Sequence, residues 1–161
     1  MLRAPDVLPE WQIATWLNVE APLEWRELRG QVVLVHAFQM LCPSCVAHGI
    51  PQALAVERTF RGEGVRVIGL HTVFEHHEAM TEVALRAFLH EYRIGFPVAI
   101  DRPGSEGDRL PCTMAAWGLR GTPSLILLDA RGALRLHHFG RIEDLALGAV
   151  IGQLLTEARA T

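Results

Sequence analysis

The chain predicts an α/β fold: a central mixed β-sheet flanked by helices, with a small N-terminal β extension. Three observations predict it. Short apolar runs rich in β-branched residues alternate with segments of helical periodicity. A terminal pair of strands flanks Ala130-Arg131-Gly132, a hairpin turn by composition. Hydrophobic residues make up 50% of the chain against 20% charged, enough apolar material for a packed core. Strands alternating with helices, followed by a hairpin and a last helix, argue for a mixed sheet. At 161 residues the chain suits one domain over 1–161, with 1–28 as an N-terminal extension. Such a chain buries roughly 70% of its unfolded surface and needs no disulfide staples.

The elements read in order as follows. Trp11 to Leu17 and Leu23 to Leu28 form a small N-terminal strand or hairpin. Val32-Val33-Leu34-Val35-His36-Ala37-Phe38 is a buried strand. A helix follows from Pro43 to about Arg61, kinked at Pro51 and stopped by Gly62-Glu63-Gly64. Val65 to Leu70 is the next strand. Met80, Val83, Ala84, Ala87 and Phe88 recur at helical spacing, so Glu78 to Arg93 is an amphipathic helix. Phe96 to Asp101 is a strand, and a Gly/Pro/charged loop runs on to Pro111. Ser124 to Asp129 and Ala133 to Phe139 form the hairpin, and Ile142 to Ala158 the closing helix.

Composition narrows the function classes. The formal charge of −3 gives no basic face for a nucleic acid. No stretch approaches the ~18 apolar residues of a membrane span. Met1-Leu2-Arg3-Ala4-Pro5-Asp6 lacks the apolar core of a signal peptide, which makes a cytoplasmic location the expectation. Three cysteines are too few, and odd in number, for a secreted disulfide scaffold. Two of them lie close together, as working thiol pairs do.

Cys42-Pro43-Ser44-Cys45 lies just past a strand and opens a helix. Pro43 fits the first helical position, where a missing N–H costs nothing. Cys42 then sits at or near the N-cap, facing unpaired backbone N–H groups and the positive end of the helix dipole. Both favour the thiolate, the attacking species in disulfide exchange. Cys45 is one turn along on the same face and can resolve a mixed disulfide. Two other readings stand beside this one. The pair could be half of a zinc site, though no second C-x-x-C or H-x-x-x-H is present. It could also be cysteine buried as core. The strand–CxxC–helix context favours redox chemistry.

With these residues the chain resembles the thioredoxin superfamily, in its TlpA/ResA-type, redoxin-like branch, from about Leu28 to Leu155. Besides the strand leading into Cys42-Pro43-Ser44-Cys45, the resemblance rests on two further segments. One is Tyr92-Arg93-Ile94-Gly95-Phe96-Pro97-Val98-Ala99-Ile100-Asp101. The other is Trp117-Gly118-Leu119-Arg120-Gly121-Thr122-Pro123-Ser124-Leu125-Ile126-Leu127-Leu128-Asp129. The resemblance implies a thioredoxin-like fold, a cis Thr122–Pro123 peptide beside the cysteines, and a groove in which the Thr122 backbone pairs with an extended substrate. The alternative at Pro123 is a trans proline at a strand start.

The chain also departs from the family it resembles. His36 stands where thioredoxins carry Asp and many TlpA-like chains Asn. It could relay the proton of Cys45 or be a satisfied core histidine. His48 stands where TlpA-like chains often carry Glu, Leu41 where Trp is usual, and Pro51 comes one residue late.

His71, Glu75, His76, His77 and Glu78 gather after a strand end, on the Cys42 side by fold logic. They read first as a solvated loop; a substrate-contacting, pKa-tuning or metal role is the alternative. Cys112 reads as structural rather than a third redox thiol. His137 and His138 should face opposite sides of the last strand.

The leading function is thiol–disulfide exchange with Cys42 as nucleophile and Cys45 as resolving thiol. Its partners would be a protein or small-molecule disulfide and a dithiol electron donor. No bound cofactor or metal is required, because the cysteines carry the electrons. A peroxiredoxin-like thiol peroxidase is the alternative, weakened because Val35 and Gln39 occupy the positions of that family's Pro and Thr. A metal-carrying or binding module is third; resembling copper carriers use C-x-x-x-C and a distant His.

Overall fold

The computed structural model describes residues 2–3, 6–106 and 110–160. Six strands form one mixed sheet in the order β1-β4-β3-β2-β5-β6. These are β1 (Ile13–Leu17), β2 (Val32–Phe38), β3 (Val65–His71), β4 (Val98–Asp101), β5 (Ser124–Leu128) and β6 (Leu134–Phe139). β2 pairs in parallel with β3, and β3 with β4. β5 runs antiparallel to β2, β6 to β5, and β1 to β4.

The helices are α1 (Ile50–Thr59), α2 (Glu82–Glu91), α3 (Cys112–Ala116) and α4 (Asp144–Arg159). Side chains alternate across β2. Val32, Leu34 and Phe38 pack with α1, α2 and α4. Val33, Val35 and Ala37 pack with Met114 of α3, Trp117, Leu28 and the N-terminal tryptophans. Burial on both faces is why β2 reads as one continuous apolar run. Gly69 of β3 allows this packing, because a Cβ there would lie 3.1 Å from both the Phe38 and Phe96 rings.

Several boundaries differ from the sequence reading. Residues 25–28 form a 3-10 turn (Trp25–Leu28), not a strand; Glu24 and Glu27 close a reciprocal capping box there. The predicted helix from Glu78 begins at Glu82, because Thr81 accepts the Ala84 N–H at 3.2 Å and fixes the N-cap. Its buried stripe is Leu85 and Leu89, with Val83 outside. The β3 strand extends one residue further, to His71. Phe96 and Pro97 precede β4, and Pro97 contributes its carbonyl to the Gly69 N–H.

The helix after Cys42 is not a plain α-helix kinked at Pro51. A π-turn (Cys45–Gly49) comes first, and Pro51 sits in the first turn of α1. Proline has no N–H to give to the carbonyl four residues back, and its ring would crowd that carbonyl. The wider turn accommodates both constraints, and such turns frequently occur at functional sites.

Candidate functional site

Cys42 stands at the carboxyl end of β2, just before the helical turn that Pro43 and Ser44 begin. Its sulfur accepts the Cys45 N–H at 3.2 Å. It thereby does the work of an N-cap oxygen toward the third helical residue. The same sulfur donates to the Thr122 carbonyl at 3.5 Å. Cys42 is half-buried, and Cys45 is fully buried in the core. Burial first, then the neighbouring Cys42 thiol, push the Cys45 thiol up to about 12, against a backbone hydrogen bond from Gln39. The two sulfurs therefore meet different surroundings at one helix start.

The Thr122–Pro123 peptide is cis. Around it, Ser124 Oγ donates to the Gly121 carbonyl at 2.7 Å, and the Gly140 N–H to the Pro123 carbonyl at 2.8 Å. A Cβ at Gly121 would lie 2.9 Å from the Phe139 ring, which would have to shift. The loop is thus fixed from β6 as well as from β5.

His36 points from β2 toward the π-turn. Among the described residues its Nε2 is buried without a hydrogen-bond partner. Burial pushes the imidazole down to about 4, so it is neutral at pH 7. The ring stacks on Phe38 with centroids 5.7 Å apart. A Cβ at Gly49 would lie 2.7 Å from His36 Nε2. His36, His48, Gly49, Pro123 and Arg141 line a cavity of about 180 Å³. His48 is exposed at this cavity, and at the helix start Pro43 is exposed and Ser44 half-buried.

His71 separates from the polar cluster predicted around it. It is buried, and its Nε2 accepts the Met40 N–H at 3.2 Å, while Glu75, His76, His77 and Glu78 are exposed. Burial pushes His71 down to about 4. Cys112 opens α3, with its sulfur 3.4 Å from the Pro103 carbonyl. His137 and His138 are both half-buried rather than split between core and solvent. Each meets a carbonyl at 2.9 Å, Trp117 and Arg141 respectively.

Three site residues escaped the sequence reading. Gly49 is needed because of His36, thirteen positions earlier by number. Gln39 Oε1 accepts the Phe74 N–H at 3.1 Å and its Nε2 donates to Glu75 at 3.3 Å. Met40 presents its N–H to His71. The one available signal was a glutamine continuing an apolar strand, since a buried amide needs partners.

Solved structures match nearly the whole chain at about half identity. A thioredoxin-like superfamily protein is 56% identical, with a TM-score of 0.89, over 94% of this chain and 97% of its own. The chain belongs to the thioredoxin-like superfamily.

A thiol-disulfide isomerase from Corynebacterium glutamicum is 49% identical, with a TM-score of 0.88, over 92% of this chain and 96% of its own. No protein-family profile matches. Among curated relatives, protein DipZ of Mycobacterium bovis is 28% identical over 97% of this chain, which spans only 21% of DipZ. The thiol:disulfide interchange protein DsbE of Allochromatium vinosum is 28% identical over 84% of this chain and 66% of its own length. The expected cytoplasmic location is corrected: the matches to protein DipZ and to the thiol:disulfide interchange protein DsbE do not support it. No helix among the described residues is long and apolar enough to cross a membrane.

Two outcomes follow from the buried histidines. Gly49→Ala forces either the His36 ring or the π-turn to move, and should cost ~1–3 kcal/mol in urea unfolding; unchanged stability would contradict the contact. His36 and His71 take up protons near pH 6.5 when unfolded but only near 4 when folded. The unfolded state therefore binds more protons between these values. Stability is full above about pH 6.5 and falls toward pH 4, by up to about 3 kcal/mol per histidine. Urea midpoints across that range should show the fall, and His36→Leu should remove about half of it, leaving the His71 share.

Proposed function

We propose that the protein exchanges disulfides through Cys42 and Cys45, with Cys42 as nucleophile and Cys45 as resolving thiol. The observation that carries this is the asymmetry of the pair. One sulfur is half-buried and takes the Cys45 N–H, while the other lies beneath it with no exposure. The Cys42 thiolate attacks one sulfur of a substrate disulfide, forming a mixed disulfide and releasing the first substrate thiolate. Cys45 loses its proton and attacks the Cys42 sulfur. The Cys42–Cys45 disulfide forms, the second substrate thiolate leaves, and two electrons have passed to the substrate. A dithiol donor returns them. Reversed, the same steps oxidise a substrate dithiol.

A protein disulfide suits the site. An extended segment would lie along Thr122-Pro123 and pair with the Thr122 backbone as an added strand. Pro43 and Ser44, between the cysteines, form the floor such a segment crosses.

Resolution requires the Cys45 proton to leave. We assign its acceptor as His36, which occupies the strand face under the π-turn and lacks a partner at Nε2 among the described residues. Burial is the first cause that raises the Cys45 thiol, and the Cys42 thiol raises it further; a mixed disulfide at Cys42 would remove that second cause. The cavity lined by His36 and His48 offers the proton a path to solvent.

The test is turnover of a disulfide substrate with a dithiol donor, beside peroxide consumption. Cys42→Ser should abolish disulfide turnover. Cys45→Ser should accumulate a mixed disulfide at Cys42, visible by mass. His36→Leu should leave the first attack intact and slow resolution by roughly 10²–10⁴. Peroxide removal that needs Cys42, without disulfide turnover in the wild type, would replace this reading with a peroxidase.

A further inference from the structure

We propose that His71 is a positioning residue for both cysteines, acting through the turn of residues 39–42 rather than by touching substrate. This deepens the exchange reading and rests on it. The turn is tied to both sulfur-bearing residues. The Cys42 N–H donates to the Gln39 carbonyl at 3.1 Å. Gln39 also gives a backbone hydrogen bond to Cys45. Moving this turn therefore moves the Cys42 backbone and the environment of the Cys45 sulfur together.

The ties that hold the turn come from the segment entering and leaving the end of β3. His71 pairs with Phe38 in the parallel ladder, so the imidazole sits beside the first residues past β2. Its Nε2 accepts the Met40 N–H at 3.2 Å. The Thr72 N–H donates to the Phe38 carbonyl at 3.1 Å. Gln39 is held by Phe74 and Glu75. Of these ties, only the one from His71 reaches a backbone N–H of the turn itself.

Acceptance at Nε2 requires the neutral ring with its proton on Nδ1. Phenylalanine could fill the same space but offers no acceptor, which would strand the buried Met40 N–H. Glutamine offers an amide oxygen in roughly the same place. The role is thus separable from packing.

The decisive measurement on the unaltered protein is the scalar coupling between the Met40 amide nitrogen and His71 Nε2 by NMR, near pH 7. The coupling should be present, with the His71 proton on Nδ1. Its absence overturns the proposal. The functional arm compares His71→Phe with His71→Gln, reading Cys42 alkylation by iodoacetamide and disulfide turnover. His71→Phe should slow both by roughly ten- to a hundredfold, more in kcat than in KM. His71→Gln should recover most of the loss. Equal impairment in the two variants, or wild-type rates in a folded His71→Phe, overturns the proposal. Should His71→Phe fail to fold, Gln39→Met, which removes the Phe74 and Glu75 ties, takes its place and should slow alkylation likewise; an unchanged rate overturns the shared-turn account. Missing disulfide turnover in the wild type would defeat the exchange reading alone, because the coupling and the alkylation rate still judge His71.

Discussion

Burial of β2 on both faces forces Gln39 and the Met40 N–H, just past its carboxyl end, to find partners inside the protein. The strand runs between β3 and β5 and is covered by helices on one side and by α3 with the N-terminal segment on the other. His36 is kept neutral there. Gln39 and the Met40 N–H turn to β3 and the loop beyond it. Cys45 lies in the same dry region, while Cys42 sits at its rim against Thr122. The gradient from rim to core separates the two thiols.

That gradient also explains why the site is assembled from distant segments. Lone polar groups in a dry environment cost ~1–3 kcal/mol each, so the chain brings acceptors from β3 and from the Thr122–Pro123 loop. The loop is itself fixed by the Gly140 N–H on the Pro123 carbonyl and by the Ser124 hydroxyl on the Gly121 carbonyl. The cavity under Pro123 leaves His36 the one buried side-chain nitrogen near the cysteines that lacks a protein partner among the described residues.

Much of this was legible from residue pattern. The run Val32 to Phe38, the Ala130-Arg131-Gly132 turn and Cys42-Pro43-Ser44-Cys45 each carry a local signal, and each element lies where that signal puts it. The expected helix start at Glu78 failed because Thr81 caps the helix three residues later, and a cap outweighs apolar spacing. The π-turn was invisible because it answers two constraints at once: Pro51 in the helix and His36 beneath Gly49. The His71–Met40 tie joins residues thirty-one positions apart. Local periodicity carries no information about such a pair; only the parallel register of β2 with β3 brings it together.

The central claim is that Cys42 and Cys45 act as one two-electron couple. Equilibrating the protein with graded ratios of reduced and oxidised dithiothreitol, blocking free thiols and reading masses tests it most directly. The account predicts a single two-electron transition in which Cys42 and Cys45 lose their thiols together while Cys112 stays free. Persistence of both thiols across the whole range, or a disulfide that includes Cys112, would contradict it.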